Sequence, residues 1–430
     1  FLAFLDAHEI RRSDLLGSDA HAPPLEQRYF RVKKHKNVEN DDAEKVIACV
    51  AQSLGTPPTP VPWLPRFYAL PAASPLARVD AYRAGEIYGI DISSGFAVSL
   101  LDVRPGDHVL DLCCAPGAKL TMIADLLQLR GSVTGVDVSR QRLSACKQLV
   151  HKYQLLQAST PLSSSSSSSS PSQAASVRAV SDGHPPPQQP SRPAPPQWRC
   201  RLFHADGRSF AVGPRTESDR HERVETVLDT EEIAARGTRG LQRKRANKSA
   251  RAREARKQRK LAPEISSSSS GAADIGQAAV AATASEGADD DDQYDKVLVD
   301  AECTHDGSVR HLQKNDSLAK WTHYVESHLS AREVERILRL QHDLIRSGFR
   351  ILRDGGVLVY STCSLSVKQN EEIVAAFLKE QPRAELEPIE RDGIPCEEGR
   401  LPGTIRFTPA RNASGLFIAK IRKRAALLLV

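Results

Sequence analysis

The amino-acid sequence predicts an α/β fold with a mostly parallel sheet, a small N-terminal segment and two low-complexity insertions. From about residue 106, short apolar runs alternate with helical patterns, as in the βαβ units of a parallel sheet. Several of these runs end in Asp and a turn, where open α/β sheets place their functional side chains. We therefore expect residues 1–81 to form the N-terminal segment and residues 82–430 the α/β domain.

The first two predicted strands and their helices lie before residue 154. His108–Cys113 is apolar enough for a buried strand. The next run, Leu120–Leu129, has apolar residues at helical spacing and ends before Gly131, which favours a helix. Ser132–Asp137 is predicted as the second strand and Arg140–Tyr153 as the helix that follows it.

The later elements continue the alternation and add a closing hairpin. The long run Leu329–Arg350 presents apolar residues at helical spacing, so it is predicted as a core helix. Gly355 and Gly356 mark the turn into the next strand. In order, the remaining predictions are strands Arg201–His204, Lys296–Asp300 and Gly356–Ser361, a helix Asn370–Leu378, and hairpin strands Thr404–Thr408 and Gly415–Lys420.

Two polar stretches interrupt this pattern. One covers residues 157–197 and contains the serine run Ser163–Ser170, and the other covers residues 214–293. Such sequences bury too little apolar surface to offset the entropy that is lost on ordering. We therefore predict that both are disordered insertions or long exposed loops.

The net charge of +6 is modest but unevenly distributed. Arg243–Lys260, inside the second insertion, is a dense basic run. Such a run suits binding to a phosphate backbone or to a nuclear import receptor, and a solvated helix is an equally good interpretation. The charge pattern is therefore compatible with a nucleic-acid partner.

Eight cysteines without paired spacing predict a reducing, intracellular compartment. No apolar run approaches the roughly 20 residues that cross a bilayer, so we expect no membrane partner. We expect the nucleus, the nucleolus or the cytoplasm, and an organelle stays open because the chain begins at Phe1 without a methionine. We also expect a monomer.

The loop after the first strand has the character of a nucleotide-binding loop. The stretch Asp111–Leu120 lacks the glycines of a dinucleotide fingerprint and the Gly-Lys-Ser/Thr ending of a phosphate-binding loop. Asp137 is placed to accept hydrogen bonds from ribose hydroxyls, and Asp206 from an adenine amino group. Asp after a strand is also ordinary turn chemistry, but the ordered set favours an adenosine cofactor without a pyrophosphate. S-adenosylmethionine is the candidate.

Two cysteines lie just beyond the ends of predicted strands, Cys303 after Asp300 and Cys363 after Ser361. A thiolate is well suited to add to C6 of cytosine, which makes C5 nucleophilic enough to accept a methyl group. A second thiol could help to remove the C5 proton and release the base, and Asp300 could stabilise charge in the ring. Either cysteine alone is better explained as a small buried residue, but two at matched strand ends favour chemistry.

These residues resemble the Fmu/Sun (Nop2/Sun) family of RNA (cytosine-5) methyltransferases, over roughly residues 82–153, 202–208 and 294–420. The stretch Asp111–Lys119 is similar to the family's cofactor loop, and Ser361–Ser364 matches its T-C-S motif. Ala118 and Leu120 replace the usual Gly and Thr, and Glu302 stands where the family has Pro in D-x-P-C. The resemblance implies a Rossmann-like fold of S-adenosylmethionine-dependent methyltransferases.

The resemblance also implies a role for each matching residue. Cys363 would be the nucleophile that attacks C6, and Cys303 would help to resolve the covalent intermediate. Asp300 would hold the target base, and Lys119 would lie between cofactor and substrate. The implied cofactor-binding residues are Cys114, Ala115, Pro116, Gly117, Ala118, Lys119, Asp137, Arg142, Asp206 and Asp300, and no metal ligand is implied.

The resemblance to RNA rather than DNA methyltransferases depends on the second cysteine, in T-C-S after the fifth strand. We expect an RNA substrate, with tRNA as the first choice and rRNA as the second, presented as an unstacked base. The alternative is a catalytically inactive RNA-binding scaffold in ribosome assembly, although a scaffold does not need both cysteines. Basic residues after Cys303 could bind the RNA backbone or form a solvated helix: Arg310, His311, Lys314 and Lys320.

Overall fold

The computed structural model describes residues 1–16, 27–34, 43–156, 198–216, 224–233, 292–411 and 413–426. Residues 1–230 and 290–430 form one compact unit. A second unit, residues 231–289, lies almost entirely outside the described residues. The insertion predicted at residues 157–197 and the basic run Arg243–Lys260 also lie outside them.

The N-terminal part of the first unit contains a four-stranded antiparallel sheet that the sequence did not reveal. Its strands are β1 (Gln27–Val32), β2 (Thr59–Pro60), β3 (Phe67–Pro71) and β4 (Ile87–Gly89), in the order β2-β3-β1-β4. The helices of this part are α1 (Leu2–Ala7), α2 (Arg12–Leu16), α3 (Ala43–Leu54) and α4 (Asp80–Ala84). Because β4 pairs with β1, this sheet extends past residue 81.

A ten-stranded sheet forms the centre of the unit. Its strands are β5 (His108–Asp111), β6 (Ser132–Asp137), β7 (Arg199–His204), β8 (Glu225–Asp229), β9 (Tyr294–Asp300), β10 (Leu352–Thr362), β11 (Ala384–Glu387), β12 (Glu397–Glu398), β13 (Ile405–Phe407) and β14 (Leu416–Lys423). The middle strands run parallel in the order β10-β9-β5-β6-β7, and antiparallel strands extend both edges. The predicted α/β class with a mostly parallel sheet is therefore confirmed.

Helices connect the strands of this sheet and bury apolar side chains against it. They are α5 (Ile92–Ser99), α6 (Ala118–Leu126), α7 (Arg140–Lys152), α8 (Val309–Leu312), α9 (Leu318–His328), α10 (Ala331–Arg350) and α11 (Glu371–Glu380). Serine side chains cap α7 and α10, since Ser139 accepts from the Arg142 N–H and Ser330 from the Glu333 N–H. In the described part of the chain, no helix has the length and apolar character to span a membrane.

The second predicted insertion is wrong over part of its length. Strand β8 falls inside residues 214–293 and pairs antiparallel with β7. The side chain of Arg199 on β7 binds the Asp229 carboxylate on β8, with a nitrogen–oxygen distance of 2.7 Å. This strand lies at the edge of the sheet and has only two apolar residues, Val227 and Leu228, so its composition resembles that of the polar stretch around it.

A buried ion pair joins the two sheets. The Arg31 guanidinium of β1 binds the Asp125 carboxylate of α6, and both side chains are almost fully buried. Arg31 also donates to the hydroxyl of Tyr88 on β4. Helix α6 follows the predicted cofactor loop, and Asp125 lies near the opposite end of that helix, so the N-terminal sheet is attached to the helix that the loop begins.

The strand order reverses between β5 and β9. The chain runs outward from β5 to β6 and β7, then returns to place β9 and β10 on the other side of β5. Open α/β sheets bind their ligands at such a reversal, outside the carboxyl ends of the strands. The loops that follow β5, β9 and β10 meet there.

Candidate active site

Strands β9 and β10 bring the predicted catalytic loops side by side. They pair in parallel, with Asp300 opposite Ser361. The Ser361 hydroxyl donates to Asp300 Oδ1 at 2.7 Å, which orients the carboxylate. Cys303 and Cys363 follow these two positions, so their loops leave the sheet at the same level.

The two sulfur atoms lie in contact, and a histidine joins them. Cys303 Sγ and Cys363 Sγ are 3.1 Å apart. His305 Nδ1 lies 2.9 Å from Cys363 Sγ and 3.7 Å from Cys303 Sγ. Cys303 is 1% exposed, whereas Cys363 is partly exposed. A substrate can therefore reach Cys363 more easily than Cys303.

The two thiols have opposite acidities. The hydrogen bond from Cys303 lowers the pKa of Cys363 most, burial raises it, and His305 lowers it further, which leaves a pKa of about 6. Burial raises the pKa of Cys303 well above its usual range, and the neighbouring Cys363 raises it further. At neutral pH, Cys363 is therefore a thiolate and Cys303 a thiol that donates to it.

This cluster also contains ligand types that zinc prefers. The two sulfurs and the imidazole nitrogen all lie within 4.8 Å of one another. A tetrahedral zinc ion with Zn–S bonds of about 2.3 Å would hold its sulfurs roughly 3.8 Å apart. The observed separation of 3.1 Å is that of a thiol–thiolate contact, so we identify the three groups as hydrogen-bonding partners rather than as metal ligands.

Buried hydrogen bonds hold the two cysteine loops together. The Asp306 carboxylate accepts from the Ser364 hydroxyl at 2.7 Å and from the Leu365 N–H at 2.8 Å. The Gly307 N–H donates to the Cys363 carbonyl at 3.0 Å. Both Asp306 and Ser364 are fully buried. These contacts position one sulfur relative to the other, because each loop is anchored to the other by charge-assisted bonds.

The residue in the place of the family's proline lies on the outer side of the loop. The Glu302 side chain is exposed and binds Arg336 of α10, with a nitrogen–oxygen distance of 2.5 Å. The backbone carbonyl of Glu302 accepts from the buried Gln341 amide at 2.8 Å. Hydrogen bonds to α10 therefore restrain this loop where the family uses a proline.

Lys119 and Asp300 form the second charged group of the site. Lys119 Nζ lies 2.7 Å from Asp300 Oδ2. Burial lowers the pKa of Lys119, but the Asp300 carboxylate more than offsets this effect and the net pKa is raised. The lysine, which begins α6 beside the predicted cofactor loop, is thus a permanent cation between that loop and the cysteines.

Asp111 is a buried carboxyl that sequence reasoning did not single out. It ends β5 and is 1% exposed. Neither carboxyl oxygen completes a hydrogen bond within the described residues, although the Cys113 N–H and the Lys119 cation both act to lower its pKa. Burial, followed by the Asp300 charge, raises its pKa to about 8. A buried carboxyl without a partner is costly, and a cationic ligand group would satisfy it.

We expect Asp111→Asn to stabilise the ligand-free protein. Because the folded chain holds Asp111 protonated to a higher pH than the unfolded chain, the free energy of unfolding falls as the pH rises from about 4 to about 8. Asparagine removes this loss, so the melting temperature at pH 8 should rise by several degrees (about 2–4 °C per kcal/mol) while that at pH 5 changes little. Thermal unfolding at both pH values tests this, with Asp392→Asn at an exposed carboxylate as the control. An equal effect at both pH values would contradict it.

The predicted cofactor loop follows β5 and depends on a glycine. Gly117 begins α6 with φ +108°, and a Cβ there would lie 3.3 Å from the Cys146 backbone of α7. The helix therefore starts at Ala118, two residues before the predicted start. The Cys114 side chain is buried, with its sulfur 4.0 Å from that of Cys146, so only the backbone of Cys114 can face a ligand.

Asp137 and Arg142 organise this loop. Asp137 Oδ2 accepts from the Ala115 N–H at 3.2 Å, and Oδ1 accepts from the Ser139 N–H at 2.8 Å. The Arg142 guanidinium donates to the Ala115 carbonyl and lies 3.7 Å from the Asp137 carboxylate. Each carboxylate oxygen can accept one further bond, from a ribose hydroxyl for example.

The structure thus brings the predicted site residues into two groups. Lys119, Asp300, Cys303 and Cys363 form one, and the loop from Cys114 to Ala118 with Asp137 and Arg142 forms the other. Asp206 is paired through both carboxylate oxygens with the Arg208 guanidinium, and its neighbour Ala205 donates its N–H to the Asp137 carbonyl. The missed residues are His305 and Asp111. A Cys-x-His spacing and an Asp at a strand end were the only available signals.

Curated relatives match parts of the chain. "Ribosomal RNA small subunit methyltransferase F" of Erwinia tasmaniensis is 34% identical over 137 residues, which cover 31% of this chain and 27% of the relative. "Ribosomal RNA small subunit methyltransferase B" of Yersinia pseudotuberculosis is 31% identical over 348 residues, which cover 80% of this chain and 49% of the relative. The chain therefore spans half or less of the length of these relatives.

Two solved structures share the fold. A methyltransferase homolog protein from Pyrococcus horikoshii has a TM-score of 0.53 at 19% identity, and covers 98% of each chain. NSun6 from Pyrococcus horikoshii, solved with SFG, has a TM-score of 0.55 at 17% identity and covers 98% of each chain. The predicted methyltransferase fold is thereby confirmed.

The family description "16S rRNA methyltransferase RsmB/F" matches residues 98–172 and 240–422. The match covers more than half of the chain and includes the loop after β5, Asp300, Cys303 and Cys363. S-adenosylmethionine, the cofactor expected from the sequence, is the methyl donor of this family. The chain therefore belongs to the RsmB/F (Sun) family of S-adenosylmethionine-dependent RNA methyltransferases.

Proposed function

We propose that this protein is an RNA (cytosine-5) methyltransferase that forms a covalent bond between Cys363 and C6 of the target base. The observation that carries the proposal is the contact of 3.1 Å between the Cys303 and Cys363 sulfurs beside the Lys119–Asp300 pair. One thiolate, one thiol and one carboxylate surround the same space at the carboxyl ends of β9 and β10. Cytosine C5 methylation needs these three functions.

Each residue has a defined part in the proposed reaction. The Cys363 thiolate adds to C6, and the π electrons of the C5=C6 bond move into the ring. The resulting enamine is nucleophilic at C5, where it takes up the methyl group. Asp300, held by Ser361 and Lys119, hydrogen-bonds the N3 and amino side of the ring and stabilises its developing charge. After methylation a base takes the C5 proton, the electrons of the C5–H bond re-form the C5=C6 bond, and Cys363 leaves C6 as a thiolate. Cys303, the thiol in contact with that sulfur, assists this release.

The residues of the second group are suited to S-adenosylmethionine. The donor supplies an electrophilic methyl group when it is bound. The unpartnered Asp111 carboxyl would satisfy its cationic amino group, and Asp137 would accept from its ribose hydroxyls. Gly117 packs closely against α7, which holds the loop of residues 114–117 in place. Asp206 would bind the adenine end after exchange of its contact with Arg208.

We infer ribosomal RNA of the small subunit as the substrate, ahead of tRNA. The sequence alone favoured tRNA, but the names of the relatives and of the family favour rRNA. Purified small-subunit rRNA and tRNA, each incubated with labelled S-adenosylmethionine, should accept label in the rRNA only. Label in tRNA alone would overturn this choice of substrate and leave the proposed chemistry intact.

A cavity beside the catalytic loop is a candidate contact for the RNA backbone. It has a volume of 210 Å³ and lies between the N-terminal sheet and α8. Arg28 of β1 and Arg310 of α8 converge there, and burial together with Arg310 lowers the pKa of Arg28. The only carboxylate in the lining, Asp91, is engaged by Ser93 and Ser414. Two guanidinium groups without a carboxylate between them favour a phosphate.

We expect Arg28→Ala and Arg310→Ala each to weaken RNA binding about threefold to tenfold at moderate salt, because each removes a phosphate contact. The slope of log affinity against log salt should fall by about one per lost contact. Binding of a fluorescent single-stranded oligocytidine measures both quantities. Arg104→Ala, at an exposed arginine before β5 and thus at the opposite end of the sheet, is the matched control. Equal weakening by the control variant would argue against a role for this cavity.

A further inference from the structure

His305 lies beside the two sulfurs of the candidate site, on a strained piece of backbone. Its φ is +58°, in the left-handed region that few non-glycine residues adopt. This conformation places His305 Nδ1 2.9 Å from Cys363 Sγ. The imidazole ring of His305 stacks on that of His311, with the ring centroids 4.6 Å apart. The buried Asp306 network fixes the residues on either side. Strain that the surrounding structure maintains in this way is typical of functional positions.

We propose that His305 is the general base that removes the proton from the Cys363 thiol and then holds the thiolate as an ion pair. The inference rests on the proposed function, since it assigns the residue that prepares the nucleophile. The S–H bond of Cys363 breaks and an N–H bond forms at Nδ1. The sulfur lone pair then forms the bond to C6. When that bond breaks again, Cys363 leaves as a thiolate and restores the pair with the imidazolium.

The surroundings of His305 support this assignment. Burial lowers its pKa, but the Cys363 thiolate outweighs that effect and the net pKa is raised. His311, on the stacked face, has a pKa lowered to about 4 by burial and by His305, so it stays neutral and does not compete for the proton. Within the described residues, the other titratable or charged groups that interact with His305 or Cys363 are Cys303, Glu302, Asp306, Tyr324, His328, Asp300 and Lys119.

Alkylation of Cys363 in the full-length protein tests the assignment without any RNA. Iodoacetamide reacts with the thiolate, and peptide mass spectrometry reports Cys363 separately from the other cysteines. In the unaltered protein, the rate should reach half its maximum near pH 6. His305→Asn, which tolerates a left-handed backbone, should shift this midpoint upward and slow alkylation at pH 6.5 by at least about tenfold. His323→Gln, at an exposed histidine of α9, should leave the profile unchanged.

A second variant separates a chemical role from a structural one. His305→Gly also accepts the left-handed backbone, and added imidazole should restore alkylation at pH 6.5 in this variant alone. A wild-type pH profile in both variants would overturn the proposal. If the profile shifts but no RNA accepts a methyl group, the proposed function fails and the base assignment stands. If methyl transfer occurs and the profile does not shift, the base assignment fails alone.

Discussion

Replacing Cys363 with alanine is expected to abolish methyl transfer, with a loss of roughly a thousandfold or more. The physical reason is that C5 of cytosine becomes nucleophilic only after a thiolate has added to C6. Cys363 is the thiol whose surroundings hold it as a thiolate near neutral pH, because Cys303 and His305 both stabilise the charge. Transfer of label from S-adenosylmethionine to RNA measures the effect.

The design separates loss of chemistry from loss of folding. Cys49→Ala, at an exposed cysteine of α3, should keep the full rate. Binding of S-adenosylmethionine to the Cys363→Ala protein should stay within about threefold of normal, since the donor contacts a separate group of residues. Methyl transfer by Cys363→Ala at the normal rate would remove this residue as the nucleophile. A wild-type protein that binds RNA and transfers nothing would favour the scaffold function instead.

Replacing Cys303 with alanine is expected to trap a covalent complex between protein and RNA. Cys363 can still attack C6, but the thiol that lies 3.1 Å from its sulfur is missing when the C5 proton and the base must leave. Multiple-turnover transfer should fall at least about a hundredfold while an adduct that resists denaturant accumulates. Denaturing electrophoresis with labelled RNA detects the adduct, and sequencing of the trapped RNA identifies the nucleotide.

The doubly substituted protein is the matched control for this trap. Cys303→Ala combined with Cys363→Ala should give no adduct, because no thiolate remains to attack the ring. Loss of Cys303 also removes the hydrogen bond that lowers the pKa of Cys363 most, so adduct formation should be slower below pH 7 than above it. Normal turnover without an adduct in the Cys303→Ala protein would contradict the role proposed for Cys303.

Much of the parallel sheet was predictable because local signals and tertiary context agree there. Ser132–Asp137 is a strand with the predicted bounds, and the predicted closing hairpin exists as β13 and β14. The N-terminal sheet and β8 were not predictable in this way. The first contains short strands among prolines, and the second is an edge strand in a polar stretch, so neither carries a distinctive apolar pattern.

The order of residues along the chain is enough to predict which residue types are available for chemistry and at which strand ends they lie. The periodicity of the apolar residues and the positions of the strand ends are enough to predict that Asp300 lies beside Ser361, because parallel strands align their carboxyl ends. The relative acidity of the two thiols and the proximity of His305 and Asp111 to them and to Asp300 become visible only in the folded chain. Acidity and partner choice depend on burial and on distances of a few ångström between loops, and these quantities have no counterpart in sequence spacing.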